Sequence, residues 1–241
     1  MKAAPSARSW IAAGVRHELL MRALPAVRHD LAAPLSLMRM QLLMLRRHAQ
    51  PDVPASPEAL APRVAQLEGQ VTELSQGLRN LREWEWPTME GAQQPALTRS
   101  ALVSQGTSLM RAAFELNGIA LQVEADLVLP DDADDRSTRW PDAVGLRYLL
   151  LGALCHLHDA HGTLEAGGHI TLTPVEDWGV RLQAHPRPAA QPGETASVSF
   201  SANRAPRHLA IDAVSLQALA DDLGHTVALA PEALTLDLRP R

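Results

Sequence analysis

Two stretches of the sequence repeat apolar residues at alternating steps of three and four, and this pattern constrains the fold most. The first comprises Leu24, Arg28, Leu31, Leu35, Met38, Leu42 and Leu45, with one polar interruption, and the second comprises Val64, Leu67, Val71, Leu74, Leu78 and Leu81. Such spacing places one apolar seam along each of two helices. The prolines of residues 50–57 (QPDVPASP) interrupt the pattern, because proline removes a backbone donor and clashes with the preceding turn. The sequence therefore predicts a helical hairpin over residues 25–86.

One hairpin of this kind has two apolar seams and little of its own to cover them. Association of two copies into a four-helix bundle is the simplest way to bury both seams. We therefore expect a homodimer. Residues 1–24 precede the hairpin, either as a separate helix or as an extension of the first one, and Pro25 favours a break between them.

The remainder of the chain has a different pattern. Residues 87–96 (PTMEGAQQPA) are typical of a linker. Beyond it, helices are predicted at residues 99–116, 141–161 and 212–223, and strands at residues 119–124, 169–174, 179–184, 198–201, 226–230 and 233–238. Mixed helices and antiparallel strands favour an α+β sandwich over residues 97–241, with one sheet and helices on one face.

Composition excludes several classes of function. The net charge of −5 gives no basic excess, so we expect no nucleic-acid partner. Residues 148–155 form the longest apolar run, which is far below the ~20 residues that span a bilayer. With no apolar signal segment at the start, we expect a cytoplasmic protein without a membrane partner. The single cysteine, Cys155, excludes an intrachain disulfide and a multi-cysteine zinc site, and is most simply a core residue.

The segment RHDLAAPLS (residues 28–36) is the most informative for chemistry. His29 falls about 130° around the helix from the centre of the seam, so its side chain should face solvent. The carboxylate of Asp30 can hold one ring N–H and raise the basicity of the other nitrogen. Pro34 cannot donate to the carbonyl of Asp30 and should kink the helix there. A reactive imidazole and an idle surface histidine both fit this pattern.

Other candidate sites are weaker. His17 and Glu18 form a second pair of a histidine followed by an acidic residue, but no Pro-Leu pair follows them. We interpret them as part of a surface helix or, alternatively, as the reactive pair in place of His29 and Asp30. A zinc site on the helix of residues 141–161 is an alternative to a surface or interface role for its histidines, which are His156, His158 and His161. The acidic loop of residues 131–135 is a solvated loop rather than an EF-hand. Trp84 and Trp86 are expected to anchor the hairpin to the second domain.

The segment RHDLAAPLS resembles the phosphoacceptor box of bacterial sensor histidine kinases. In that box an acidic residue follows the histidine, and Pro-Leu comes five and six residues on, which here are His29, Asp30, Pro34 and Leu35. The hairpin resembles the dimerisation and phosphotransfer domain of that family. Residues 97–241 resemble its ATP-binding domain in the order of elements, and residues 146–161 (LRYLLLGALCHLHDAH) stand at the family's asparagine box. The resemblance covers residues 25–241 in architecture.

The sequence departs from this family wherever nucleotide would bind. Gly152 and His156 stand at the positions of the asparagines that hold magnesium and nucleotide. Residues 185–190 (HPRPAA) replace an Asp-x-Gly-x-Gly stretch, and residues 201–212 (SANRAPRHLAID) contain no glycine where the family has a glycine-rich lid. Glycine lets backbone N–H groups approach phosphates closely, so its loss argues against the use of ATP. Ala33 also replaces the Thr or Asn that kinase-type phosphatase activity uses.

The resemblance is therefore greatest to the histidine phosphotransferases of bacterial phosphorelays, which are built on a degenerate kinase fold. It implies ATP-independent transfer between receiver domains of response regulators, with His29 as the nucleophile through Nε2 and Asp30 stabilising its ring. The docking surface would comprise Arg28, Leu35, Met38 and Arg39. We expect no cofactor and no metal site in the chain itself, because the receiver supplies Mg²⁺. The alternatives are a non-catalytic pseudokinase interaction module and an active histidine kinase with atypical ATP contacts.

Overall fold

The computed structural model describes residues 6–48, 57–82, 96–128, 138–161, 164, 167–186 and 209–240 of the 241-residue chain. The helices in these ranges are α1 (Ala7–His48), α2 (Pro57–Arg82), α3 (Arg99–Leu116), α4 (Ala143–Ala160) and α5 (Ala213–Leu223). The strands are β1 (Leu97–Thr98), β2 (Ala120–Val123), β3 (Arg139–Trp140), β4 (His169–Val175), β5 (Gly179–His185), β6 (Thr226–Leu229) and β7 (Ala233–Asp237). No helix in the described part of the chain combines the length and apolar character that crossing a bilayer requires.

The chain divides into two compact units, and helix α1 contributes to both. The hairpin unit is Leu24–Thr88, and the sheet unit combines Met1–Ala23 with Met89–Arg241. Our expectation of a helix break at Pro25 is wrong, since α1 continues through Pro25 and also through Pro34. Burial of the preceding segment against the sheet unit supports the helix at a position that proline alone would weaken.

The sheet unit contains a five-stranded sheet with the strand order β2-β4-β5-β7-β6. The neighbours β4–β5, β5–β7 and β6–β7 are antiparallel, as the sequence predicts. In contrast, β2 pairs parallel to β4, because the chain between them crosses over through α4 rather than turning back directly. Strands β1 and β3 form a separate two-stranded sheet, which sequence analysis missed because each has only two residues.

The core lies between one face of the five-stranded sheet and helix α4. Alternate residues of the strands are fully buried, as the period of two requires for a sheet with one covered face. The pairs Leu172–Leu182 and Val180–Leu236 lie opposite each other in register. Helix α4 is buried at nearly every position, and it contacts α3, α5, β5 and β7. The predicted α+β fold, with a hairpin and a sheet covered by helices, is confirmed.

Local signals set the ends of the helices, within two residues of the predicted bounds. The Asp212 carboxylate accepts a hydrogen bond from the backbone N–H of Ser215 at 2.7 Å and caps α5, and Gly224 ends that helix at φ 72°. Asp142 caps α4 by accepting from Gly145 N–H at 3.0 Å. Asn117 caps the last turn of α3.

Several expectations lie outside the described residues. They are the linker over 87–96 except Ala96, the strand over 198–201, the acidic loop over 131–135, Trp84 and Trp86.

Candidate functional site

His29 lies on α1 within the hairpin unit, and its side chain is 80% exposed. Its Nδ1 is 3.4 Å from Oδ1 of Asp30, whose side chain is 68% exposed. In the tautomer that carries the proton on Nδ1, the ring N–H points at this carboxylate and Nε2 keeps a lone pair. The arrangement therefore presents a nucleophilic ring nitrogen to solvent beside an anion that can balance positive charge on the ring.

The expected docking residues are divided between two environments. Arg28, Leu35 and Arg39 are exposed and share one face of α1, at spacings of seven and four residues. Met38 is half-buried, and at nine residues from His29 it lies about 180° around the helix. Met38 therefore lies in the seam of the hairpin rather than beside the histidine, and Leu35, about 120° around the helix from His29, is also a seam position.

Sequence analysis missed two apolar side chains on the face of His29 itself. Met40 and Leu43 follow His29 by 11 and 14 residues, which places them within about 40° of it. They are 52% and 65% exposed. The signal was available, because residues 35–45 (LSLMRMQLLML) are apolar on every side of the helix, and one seam does not explain that pattern.

The two heptad seams are each half covered within one hairpin. The half-buried positions recur every seven residues and are Leu31, Met38, Leu45, Leu67 and Leu74. The two helices approach at Gly77, where an added Cβ would lie 3.0 Å from Leu31 Cδ2. The alternate seam positions remain 46–52% exposed and are Leu35, Leu42, Val64, Val71 and Leu78. One chain therefore leaves a continuous apolar surface on both helices.

The competing pair, His17 and Glu18, has a different environment from His29 and Asp30. Glu18 is only 9% exposed, and its Oε1 accepts a hydrogen bond from Arg22 Nε at 3.0 Å. The carboxylate is thus engaged on the sheet-unit side of α1, whereas His17 is exposed. This geometry favours His29 over His17 as the reactive imidazole.

Arg22 is the centre of a buried ionic cluster in the sheet unit. Its Nη1 and Nη2 donate to the two carboxylate oxygens of Asp159 at 2.9 and 2.8 Å, and Nη2 also donates to the carbonyl of Leu209 at 2.8 Å. The Asp159 carboxylate accepts a further bond from Ile211 N–H at 2.8 Å. The side chains of Arg22 and Asp159 are 10% and 12% exposed.

The ionisation of this cluster follows from its hydrogen bonds. Burial of Asp159 opposes ionisation, but hydrogen bonds from His158, Arg22 and the Ile211 backbone outweigh burial and lower the pKa of Asp159 to about 2. Burial likewise opposes charge on Arg22, yet its bonds to Asp159 and Glu18 raise its pKa. Burial raises the pKa of the neighbouring Cys155 thiol to about 12, so this cysteine is a protonated core residue.

The position where the resemblance would place a nucleotide-binding asparagine is filled by helices. Gly152 of α4 lies where a Cβ would approach Leu219 Cδ2 at 3.0 Å, Leu216 Cδ1 at 3.1 Å and Leu19 Cδ1 at 3.7 Å. The first two belong to α5 and the third to α1. At the second position, the ring of His156 is committed to the backbone, with Nδ1 2.8 Å from the carbonyl of Ile211. A Cβ at residue 152 would already be in tight contact with two leucines, so an asparagine side chain there would require these leucines to move.

The other histidine of α4, His158, has structural contacts. The ring of His158 packs edge-on against Phe114 at 5.5 Å between centroids, and its Nδ1 is 3.1 Å from Oδ1 of Asp159. Among the described residues, no group of three or more His, Cys, Asp or Glu side chains is arranged to hold a metal ion.

No protein-family model matches the sequence, and no curated protein matches it. Solved structures with a similar arrangement include a bacterial phosphotransferase, at 16% identity and a TM-score of 0.31 over 97% of each chain. They also include the Acinetobacter baumannii histidine kinase AdeS, at 14% identity and a TM-score of 0.35 over 88% of this chain and 98% of that one. The catalytic domain of the histidine kinase ThkA gives 14% identity and a TM-score of 0.36 over 64% of this chain and 100% of that one. The fold assignment itself rests on the strand order and helix positions given above.

Proposed function

We propose that this protein is an ATP-independent histidine phosphotransferase that relays phosphoryl groups between receiver domains of response regulators through His29. The observation that carries the proposal is the exposure of the His29 ring together with the Asp30 carboxylate 3.4 Å from Nδ1. A phosphoacceptor must reach into the active site of another protein, so its nitrogen has to project from the surface.

The transfer step uses the ring nitrogens separately. The Nε2 lone pair of His29 attacks the phosphorus of an aspartyl phosphate on the first receiver. The P–O bond to that aspartate breaks, and the carboxylate leaves with the electron pair. The ring retains the Nδ1 proton and becomes positively charged, and Asp30 stabilises this cation. Attack by the carboxylate of a second receiver reverses each change and restores neutral His29, with Mg²⁺ supplied by the receivers.

The surface around His29 suits docking of an acidic, Mg²⁺-binding partner. Arg28 and Arg39 are exposed on one side of the helix, and exposed Met40 and Leu43 follow on the face of His29. Arginines steer an acidic pocket toward the histidine, while apolar side chains give the contact its stability.

We also propose that the hairpin units of two chains form a four-helix bundle. The alternate seam positions of both helices are about half exposed in one chain, and they recur every seven residues. A second copy would bury both rows through one symmetric interface.

Loss of ATP use is part of the same proposal. Two observations support it: residue 152 is a glycine with no side chain to contact a nucleotide, and leucine side chains of α1 and α5 pack close to it. In this proposal the sheet unit has a structural role, and the phosphoryl group comes from another protein.

The test is phosphoryl transfer from receiver domains charged with ³²P-labelled acetyl phosphate. We expect acid-labile, base-stable label on this protein, abolished in His29→Ala and retained in His17→Ala. His17→Ala is the matched control because it removes the other histidine that precedes an acidic residue. Label that persists in His29→Ala would reject His29 as the acceptor. Receiver binding without any label would instead favour the non-catalytic interaction module.

A further inference from the structure

Residues 7–23 of α1 belong to the sheet unit, and all of their charged side chains lie on one side of the helix. Leu19 is fully buried and marks the side that packs on the sheet unit. At 100° per residue, every charged position of the segment falls within about 100° of Leu19. These positions are Arg8, Arg16, Glu18 and Arg22. Each of these side chains forms an ion pair, at distances between 2.7 and 3.2 Å.

The opposite side of the same segment is exposed and uncharged. The positions within about 80° of the direction opposite Leu19 are all exposed, and none is Asp, Glu, Lys or Arg. They are Ala7, Trp10, Ala13, Gly14, His17, Leu20 and Met21. The apolar members between residues 10 and 21 form what we call the outer stripe, which comprises Trp10, Ala13, Gly14, Leu20 and Met21. A surface helix normally turns charged residues to water and apolar residues to the core, so this exposed stripe indicates a surface that a partner covers.

The shape of the outer stripe is complementary to itself. Trp10 is 68% exposed and projects from the helix. Gly14 follows one turn later, and a Cβ added there would meet nothing within 4 Å in the described part of the chain. Glycine weakens the interior of a helix relative to alanine, and no contact of Gly14 in that part of the chain requires it. When two copies meet about a two-fold axis, Trp10 of each copy can pack over Gly14 of the other copy.

The absence of charge decides which partner fits the outer stripe. Nucleic acid and anionic lipid surfaces are bound by basic side chains, and Arg16 and Arg22 lie on the other side of the helix in ion pairs with carboxylates. A charged stripe would also repel its own copy across a two-fold axis, because symmetry brings identical groups together. An uncharged stripe has no such repulsion. These properties fit a second copy of this chain.

We propose that the outer stripe packs against the same stripe of a second copy as two parallel helices, so that the sheet unit contributes to the dimer as well as the hairpin unit. Residues 10, 14, 17 and 21 follow the steps of four and three that such a pair uses. The large side chains of the stripe expose about 300 Å² per copy, since a whole aromatic side chain presents ~150–250 Å². A stable interface buries ~800 Å² per partner, so the inference rests on the dimer proposed above.

Disulfide cross-linking tests the contact directly. In Met21→Cys the new thiol lies on the outer stripe, and two parallel helices in contact bring the two sulfurs within bonding distance. Arg8→Cys is the matched control, because its side chain is 76% exposed on the opposite side of the same segment. The native Cys155 is buried, and the parent protein is oxidised in parallel. We expect a covalent dimer of Met21→Cys on non-reducing gels and a monomer of Arg8→Cys. No cross-link in Met21→Cys, or equal cross-linking in both variants, would overturn the inference.

The dissociation constant of the dimer gives an independent measurement. Trp10→Ala should raise it on the order of tenfold in sedimentation experiments at decreasing concentration, whereas Ile11→Ala should change it by no more than about twofold. Ile11 is the matched control because it is an exposed apolar neighbour outside the stripe. A monomeric parent would overturn this inference together with the proposed dimer. A dimeric parent whose dissociation constant is unchanged in Trp10→Ala would overturn this inference alone. Neither measurement involves a phosphoryl group, so both are separable from a failure of the transfer assay.

Discussion

Replacing Asp159 by Asn should destabilise the sheet unit more than neutralising any other single charged side chain of that unit. The amide is nearly isosteric, so no cavity forms. However, both carboxylate oxygens face donors: Arg22 Nη1 at 2.9 Å meets Oδ1, while Arg22 Nη2 and Ile211 N–H at 2.8 Å meet Oδ2. Either orientation of the Asn amide turns an N–H toward one of these donors and leaves Arg22 with less negative charge to balance it.

The magnitude follows from the ionisation of Asp159. A carboxyl pKa of 3.8 in the unfolded chain and about 2 in the folded one is worth about 2 kcal/mol of stability near neutral pH. Breaking a buried pair by removing one partner costs ~3–5 kcal/mol in general. Because Glu18 still accepts a bond from Arg22 at 3.0 Å, we expect a loss of about 3 kcal/mol, at the lower end of that range.

The pH dependence has a definite sign. The pKa of Asp159 is lower in the folded state, so its contribution is complete above pH 3.8 and is lost as the pH falls through about 2. At pH 3 about half of the electrostatic contribution remains. The difference in unfolding free energy between the parent and Asp159→Asn should therefore shrink from pH 6 to pH 3.

The assay is urea unfolding at both pH values, with Asp222→Asn as the matched control. Asp222 of α5 pairs with Arg16 of α1 at 2.7 Å, whereas Asp159 belongs to α4, and both side chains of the control pair are more exposed, at 23% and 24%. That pair should contribute no more than ~1 kcal/mol. If Asp159→Asn costs no more than Asp222→Asn, or if its cost is the same at pH 3, an ionised Asp159 does not anchor this helix.

Three further predictions concern other parts of the chain. Gly152→Ala should lower the free energy of unfolding by ~1–3 kcal/mol in urea titrations, because the added Cβ would press on Leu216 and Leu219. Gly69→Ala on α2 is the control: there is open space around Gly69, so this substitution should raise the free energy of unfolding by ~0.5–1 kcal/mol. If the proposed dimer forms through the seam, Val71→Glu should give monomers in light scattering, while Thr72→Glu on the exposed neighbouring position should leave the dimer intact. Dimers of both variants would exclude the seam as the interface. The thiol of Cys155, whose pKa burial raises to about 12, should resist Ellman's reagent at pH 8 until urea unfolds the sheet unit, and fast reaction of the folded protein would contradict its burial.

Features set by neighbouring residues were predictable from the sequence. The end of α3 at Asn117, the caps of α5 at Asp212 and Gly224, and the turn between β4 and β5 depend on residues within a few positions of one another. The alternation of strands β4 and β5 likewise gives their buried faces directly. The parallel pairing of β2 with β4 was not predictable from periodicity, because it depends on how the chain crosses over through α4.

The attachment of residues 7–23 to the sheet unit was also missed. The buried positions Ala12, Val15, Leu19 and Ala23 do follow steps of three and four. Two of the four are alanines, which contribute little to an apolar pattern. In addition, larger apolar side chains lie on the other sides of the helix and are 44–68% exposed, namely Trp10, Leu20 and Met21, so the sequence does not show which face is buried. The charge partners of this segment lie 137–213 residues away, so no local spacing indicates them.

The two histidine–acid pairs of α1 show why the candidate site was only partly predictable. His17-Glu18 and His29-Asp30 are alike in sequence and lie on one helix. Glu18 is drawn into the cluster around Arg22, because that segment packs against the sheet unit and a buried guanidinium requires carboxylate partners. Asp30 lies in the hairpin unit, where its side chain is 68% exposed beside the His29 ring. The two acidic neighbours therefore differ in exposure because one belongs to the sheet unit and the other to the hairpin unit, and no spacing within the sequence shows this difference.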